Sequence, residues 1–322
     1  MKDTLKWAYA LNQWKPRMDA FTRHEDQLRA FKVTSAAGFD YVELASGSGR
    51  WDNLARPEVI LANHGSAEGF LDFLHRGSLK GVCSMFWDPT APAEEDDGMP
   101  HNPADFDQHA TIIRTSRVFI DFLNAVGAST LVARPAPPAW ITGKLSDDAI
   151  KTAADLWNEV GDLARQAGLH LALHYDCLSS IHDPDQLATL LGAADPELVG
   201  LGVDTAEMTI AGIDPVAFYQ AHADRVTHIH LKDTRHQDSN NQYLKPNAEI
   251  AMFQGDSGNH IQRWFYELGT PNGLVDTPAL VTALREHSYN GWTVVESDQT
   301  PDPAETTLLN SWYLQNELDI PK

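Results

Sequence analysis

The chain has 322 residues with 24 Lys and Arg against 45 Asp and Glu, a formal net charge of −21. Binding to nucleic acid or to an anionic membrane needs a basic footprint, so this balance argues against both as partners. A hydrophobic fraction of 43% beside 21% charged residues gives enough apolar material for a large packed core and too much for disorder.

The opening MKDTLKWAYALNQWK has no apolar signal core before a small-residue cleavage site, and no apolar run of 18 residues occurs, so a cytoplasmic protein is expected. Cys83 and Cys177 lack paired metal-type spacing and are expected to be reduced, packed thiols. In chain order, strands are predicted at residues 5–12, 41–44, 81–86, 130–133, 170–175, 200–204, 227–231 and 293–296. A helix is predicted over residues 147–167, with Ile150, Ala153, Trp157, Val160, Ala164 and Ala167 on one face, Ser146 as N-cap and Gly168 past its end. Asp183-Pro184, Asp214-Pro215, Thr277-Pro278 and Asp302-Pro303 each set a capping residue before proline and open four more helices.

Eight strand candidates alternating with helices is the number that closes a parallel barrel, so the expected fold is α/β, a (β/α)8 TIM barrel. No repeat, low-complexity tract or linker interrupts the pattern, and residues 1–322 are expected to form a single domain. Two stretches exceed ordinary connections: residues 88–105, and a long insertion over about 234–276, between strands seven and eight, which carries Met252, Phe253, Trp264 and Phe265. Stretches of that length are expected to cover a site or meet a partner.

Catalytic groups of such barrels project from the C-terminal ends of the strands. Strand alternation sets Leu171, Leu173 and Tyr175 on one face, against Ala172, His174 and Asp176 on the other. It likewise turns Asp204, then His228, His230 and Lys232, then Glu296 and Asp298 inward. One His or Asp alone is more often a hydrogen-bonded structural residue, but four adjacent strands aiming imidazole or carboxylate at one mouth point to a divalent cation with open positions for substrate oxygens. The expected metal set is His174, Asp204, His230 and Glu296, with Mn²⁺ first and Mg²⁺, Co²⁺ or Zn²⁺ also compatible. Lys232, beside His230, is expected either to polarise a substrate oxygen or to pair with Glu296 or Asp298. Weaker candidates for substrate contact are Glu43 and Arg134, each equally readable as a structural salt bridge, Asp176 and Glu207, and Trp87 and Trp264, each more readily read as core packing. His260 and Gln262 are candidates by position alone.

The segment from Leu198 to Arg235, LVGLGVDTAEMTIAGIDPVAFYQAHADRVTHIHLKDTR, and YNGWTVVESDQTPDP from Tyr289 to Pro303 resemble the sugar isomerase/epimerase superfamily with the xylose-isomerase-like barrel. The resemblance is closest to its inosose-dehydratase branch, and the catalytic (alpha) subunit of the C-glycoside deglycosidases has the same barrel. It implies a metal held by a glutamate after the fifth strand, an aspartate on the sixth, a histidine on the seventh and a glutamate on the eighth. Asp204, His230 and Glu296 match the last three. The chain departs at the first, where LALHYD offers His174, with Asp176 as an alternative, and at Glu207 in DTAEM, where many relatives have histidine.

The implied chemistry is proton abstraction next to a carbonyl, with Glu296 the first candidate for base and His174 the second, through a metal-bound enediolate. β-Elimination from a keto-sugar, keto-inositol or 3-keto-glycoside makes the leading expectation a metal-dependent carbon–oxygen or carbon–carbon lyase. A ketose epimerase or isomerase using the same chemistry is the alternative, and a non-catalytic sugar-binding or assembly subunit is the third reading. The long insertion is compatible with a homo-oligomer or a small partner subunit.

Overall fold

The computed structural model describes residues 5–14, 24–45, 52–90, 101–245, 263–298 and 300–320. Eight strands, β1 (Lys6–Ala10), β2 (Tyr41–Ala45), β3 (Gly81–Trp87), β4 (Thr130–Ala133), β5 (His170–His174), β6 (Val199–Asp204), β7 (Val226–Leu231) and β8 (Trp292–Val295), pair in sequence order as a closed barrel. All pairings are parallel, and β8 returns to β1 with Lys6 opposite Trp292 and Tyr9 opposite Val295. The eight strands expected from the sequence are therefore all present. β1 ends early: Leu11–Gln13 is a short 3-10 turn, which carries Asn12 and Gln13 over the C-terminal rim as buried polar residues.

The helices predicted from capping residues start at or within one residue of those caps. Ser146 accepts from Ala149 N at 3.3 Å ahead of the helix Asp147–Gln166. Asp183, Asp214 and Asp302 each accept from backbone N–H groups behind a proline. The third predicted opening, Thr277-Pro278, shifts by one residue, because Asp276, not Thr277, accepts from Ala279 N at 3.0 Å and the helix is Thr277–Glu286. A carboxylate satisfies the orphan N–H groups better than a hydroxyl.

The apolar stripe of Asp147–Gln166 packs on the barrel through Trp157, which is fully buried and donates from Nε1 to Pro135 O at 3.0 Å. Trp87 lies edge-on to Trp157 at 6.2 Å and stacks on Phe119 at 5.4 Å. The expectation that Trp87 contacts substrate is corrected here: its ring faces the helices, not the barrel mouth. Inside the barrel, a Cβ on Gly200 would come within 2.2 Å of Thr227 Oγ1, so only glycine leaves that side chain its place. Cys83 and Cys177 are buried and unpaired, and burial pushes both thiols well up. None of the helices described is long and apolar enough to cross a membrane.

In the connection from β7 to β8, Asp233 and Tyr266 exchange backbone hydrogen bonds of 3.2 and 2.8 Å, and Trp264 and Phe265 are each 1% exposed. Met252, Phe253, His260 and Gln262 lie outside the described residues. Asp233 Oδ1 accepts from Thr234 N at 2.8 Å and Val275 N at 3.2 Å, and a Cβ on Gly273 would come within 2.2 Å of the same carboxylate. Burial outweighs these hydrogen bonds and pushes the Asp233 carboxyl up to about 6.

The folded value of Asp233 thus lies above its unfolded one, near 3.9. Its contribution to stability is fully present below about pH 4 and is lost as pH rises through about 6. Asp233→Asn keeps the accepting oxygen and removes the ionisation. Denaturant titrations from pH 4 to 8 should therefore show the variant gaining on wild type as pH rises, by up to about 3 kcal/mol; a pH-independent difference would contradict this.

Candidate active site

The barrel register brings the site together. His174 ends β5 opposite Gly202, and Asp204 ends β6 opposite His230. Glu296 follows β8 directly, its N–H donating to Leu231 O at 3.1 Å. Asp204 also caps the helix Thr205–Ile210, where Oδ1 accepts from Glu207 N at 2.9 Å, so Oδ2 is left for the mouth.

There, His174 Nε2 lies 3.3 Å from Asp204 Oδ2 and 3.0 Å from His230 Nδ1. His230 Nδ1 lies 3.3 Å from Glu296 Oε2 and 3.9 Å from Asp204 Oδ2. Four donors held about 2.0–2.2 Å from one tetrahedral ion would stand about 3.3–3.6 Å apart. His174, Asp204 and His230 fit a divalent cation in spacing, with Glu296 beside them at His230, and in chemistry, since two imidazole nitrogens only 3.0 Å apart need a positive charge or a proton between their lone pairs. In the chain by itself a proton fills that role: burial favours the neutral ring, but Glu43 and Glu296 push His230 up to about 10.

Beside this set is a second positive centre. Lys232 is 1% exposed, and its Nζ lies 2.9 Å from Asp204 Oδ2, 2.8 Å from Glu296 Oε2 and 2.8 Å from Asp298 Oδ2, with the Phe265 ring 4.3 Å away. An ammonium has three N–H groups, and three carboxylates match them. Asn12 grips the same pair from the other side, its Nδ2 donating to Asp298 Oδ1 at 2.5 Å and to Glu296 Oε1. Burial disfavours the ammonium, yet Asp204, Asp298 and Glu296 hold it well above its usual value. Burial likewise works against the Asp204 carboxylate, and Lys232 and His174 hold it low. Burial, with Asp298 added, raises Glu296.

The weaker candidates fall in different places. Glu43 is 1% exposed and both its oxygens are spent inside the barrel on Ser84, His228 and His230, so the expected substrate contact is corrected to an internal one. Arg134 Nε lies 2.6 Å from Asp176 Oδ2 and Nη1 donates to Asp88 Oδ2 at 3.2 Å, so Asp176 serves the arginine and not the cation set. Glu207 Oε2 accepts from Cys177 N at 2.9 Å, Oε1 lies 3.7 Å from Lys232 Nζ, and burial pushes its carboxyl well up. Trp264 is buried edge-on to His236 at 5.3 Å. Asn12 and Phe86 were not singled out from the sequence; Phe86 sets its ring edge against His174 at 5.2 Å and walls the site.

A closed parallel barrel with histidine and carboxylate side chains gathered at the C-terminal mouth of β5–β8 defines a class of barrels with a polar site at the strand ends. Within that class the chain belongs to the xylose isomerase-like TIM barrel family, whose pattern matches residues 31–312. An inosose dehydratase of Lacticaseibacillus casei is 26% identical over 215 residues, 63% of this chain and 69% of that protein. Among solved structures, the probable 3-DHS dehydratase AsbF from Bacillus anthracis superposes with a TM-score of 0.69 at 13% identity, covering 97% of this chain and 99% of its own. The IOLI protein with a bound zinc atom superposes at 0.65 with 16% identity, covering 98% of each chain. At those identities the two structures establish a shared fold.

Lys232→Met would leave Asp204, Glu296 and Asp298 buried without their cation. Unfolding in denaturant should show a loss of about 3–5 kcal/mol for the metal-free protein; a loss under about 1 kcal/mol would mean the ammonium is not what holds the carboxylates together.

Proposed function

We propose that the chain is a divalent-metal-dependent lyase acting on a keto-sugar, keto-inositol or 3-keto-glycoside by proton abstraction beside the carbonyl and β-elimination. The observation that carries this reading is the convergence of His174 Nε2, Asp204 Oδ2 and His230 Nδ1 to within 3.0–3.9 Å at one barrel mouth, with Glu296 Oε2 3.3 Å from His230 Nδ1 beside them. When bound, a divalent cation polarises a carbonyl and acidifies the C–H next to it.

The chain's own groups do the rest. Glu296 takes the proton, and His174 is the second candidate for that role. Lys232 and Asn12 fix both Glu296 oxygens, so the carboxylate meets substrate already oriented. Phe86 and Phe265 keep water from the basic groups. Two features support elimination over epimerisation: the curated relative named inosose dehydratase, and the neutral His174 in the ligand set. With two histidines and two carboxylates the summed charge of cation and ligands is zero, and a less neutralised cation is the stronger Lewis acid. Zinc in the IOLI structure supports a divalent ion of this kind, with Mn²⁺ still the first ion to supply.

Incubation of Mn²⁺-loaded protein with an inosose and with 3-keto-glycosides in D₂O is the test. Unsaturated product with loss of water or aglycone is expected, and Glu296→Gln should lower its rate at least about 100-fold. Deuterium at one carbon of an otherwise intact sugar would instead assign an epimerase, and no turnover or exchange in metal-loaded protein would contradict both.

A further inference from the structure

We infer that Glu43 is the positioning residue that aims His230: it holds the proton of Nε2 inside the barrel and so leaves the Nδ1 lone pair for the cation. The inference rests on the metal-site reading above and assigns to a β2 carboxylate a part in building it.

The two nitrogens of His230 face different partners. Nδ1 looks at His174 Nε2 and Glu296 Oε2, at 3.0 and 3.3 Å. Nε2 looks the other way, at Glu43 Oε1, 2.7 Å off. The contact is an ion pair by distance and not an aligned hydrogen bond, but two lone pairs 2.7 Å apart would repel, so Nε2 carries the proton, and a neutral ring with its proton on Nε2 has its lone pair on Nδ1. A carboxylate behind a ligating imidazole fixes the ring plane and tautomer and makes the ring a better donor.

Glu43 can perform this service because it cannot turn. Its Oε2 accepts from Ser84 Oγ at 2.7 Å and from His228 Nε2 at 2.9 Å. Glu43 and Ser84 face each other across the β2–β3 pairing, whereas His228 and His230 come from β7 on the far side of the barrel. Glu43, His228 and His230 are all no more than 2% exposed, so no water competes for these bonds. One carboxylate therefore sets two imidazoles at once, and only one of the two rings reaches the cation set. Glutamine at this position could not do the same. It offers one accepting oxygen and one NH₂, so one of the rings would have to move its proton to Nδ1, and for His230 that places an N–H where the cation belongs.

The test uses Zn²⁺, which is diamagnetic, on wild type, Glu43→Gln and Ser84→Ala. In wild type labelled with ¹⁵N-histidine, NMR should show His230 protonated at Nε2 with Zn²⁺ at Nδ1. Zn²⁺ bound at Nε2, or a proton on Nδ1 of the loaded protein, would overturn the inference without any variant having to fold. In competition with a chromophoric chelator, Glu43→Gln should bind Zn²⁺ about 10–100-fold more weakly than wild type, and Ser84→Ala, which loses one bond to Glu43 and leaves both tautomers alone, should stay close to wild type. Equal affinity in Glu43→Gln, or an equal loss in Ser84→Ala, would overturn the assignment. Wild type that takes up no Zn²⁺ would defeat the metal reading instead; Glu43 is then judged on the metal-free protein, where His230 Nε2 should still be protonated and an Nδ1-only tautomer would refute it.

Discussion

Three carboxylates, Asp204, Glu296 and Asp298, are buried to within 5% exposure at one rim of the barrel, and the ammonium of Lys232 stands among them. Removing such charges from water costs several kcal/mol each, so they persist only where partners surround them. Barrel closure supplies the partners. Asp204 arrives on β6, Lys232 just past β7 and Glu296 and Asp298 just past β8, while Asn12 comes from the turn after β1, the strand that pairs back onto β8. No shorter stretch of chain brings these groups together.

On the proposed reading, this arrangement also accounts for how a mouth so rich in acids would select a cation. Lys232 satisfies one side of Asp204 Oδ2 and Glu296 Oε2, and the imidazoles of His174 and His230 face the other. The ammonium keeps the acids in register and the imidazoles set nitrogen donors beside them, which is the spacing the proposed cation site rests on. Beneath it, Glu43 ties β2 to β7 across the buried interior through His228 and His230.

Much of this was legible in the sequence, for reasons that are local. Two-residue alternation in HIHLK and in the run after His170 separates inward from outward side chains whatever the rest of the chain does, which is why His174, His230 and Lys232 could be named. Aspartate before proline marks a helix start by its own chemistry, as at Asp183, Asp214 and Asp302. The failures are of another kind. Glu43 meets His228 across 185 residues of sequence, and Asn12 meets Asp298 across 286, so nothing near either residue reveals its partner. Trp87 closes a strand whose residues are nearly all buried, and a strand apolar on both faces gives no alternation from which to read direction. The helix Pro303–Asn316 shows the limit most plainly. It turns Thr306, Thr307, Asn310 and Ser311 inward and leaves Leu308, Leu309 and Trp312 outward, because its inner face hydrogen-bonds the polar ends of Gln13, Glu267 and Ser297.

The measurement that bears most directly on the account is elemental analysis of the purified protein after chelation and Mn²⁺ add-back, with His174→Ala and Glu296→Ala alongside. The account expects about one ion per chain in wild type and its loss in both variants, whose folds should survive because the barrel closes without those side chains. No ion retained by wild type under any loading, or full retention in both variants, would contradict a cation site built from His174, Asp204, His230 and Glu296.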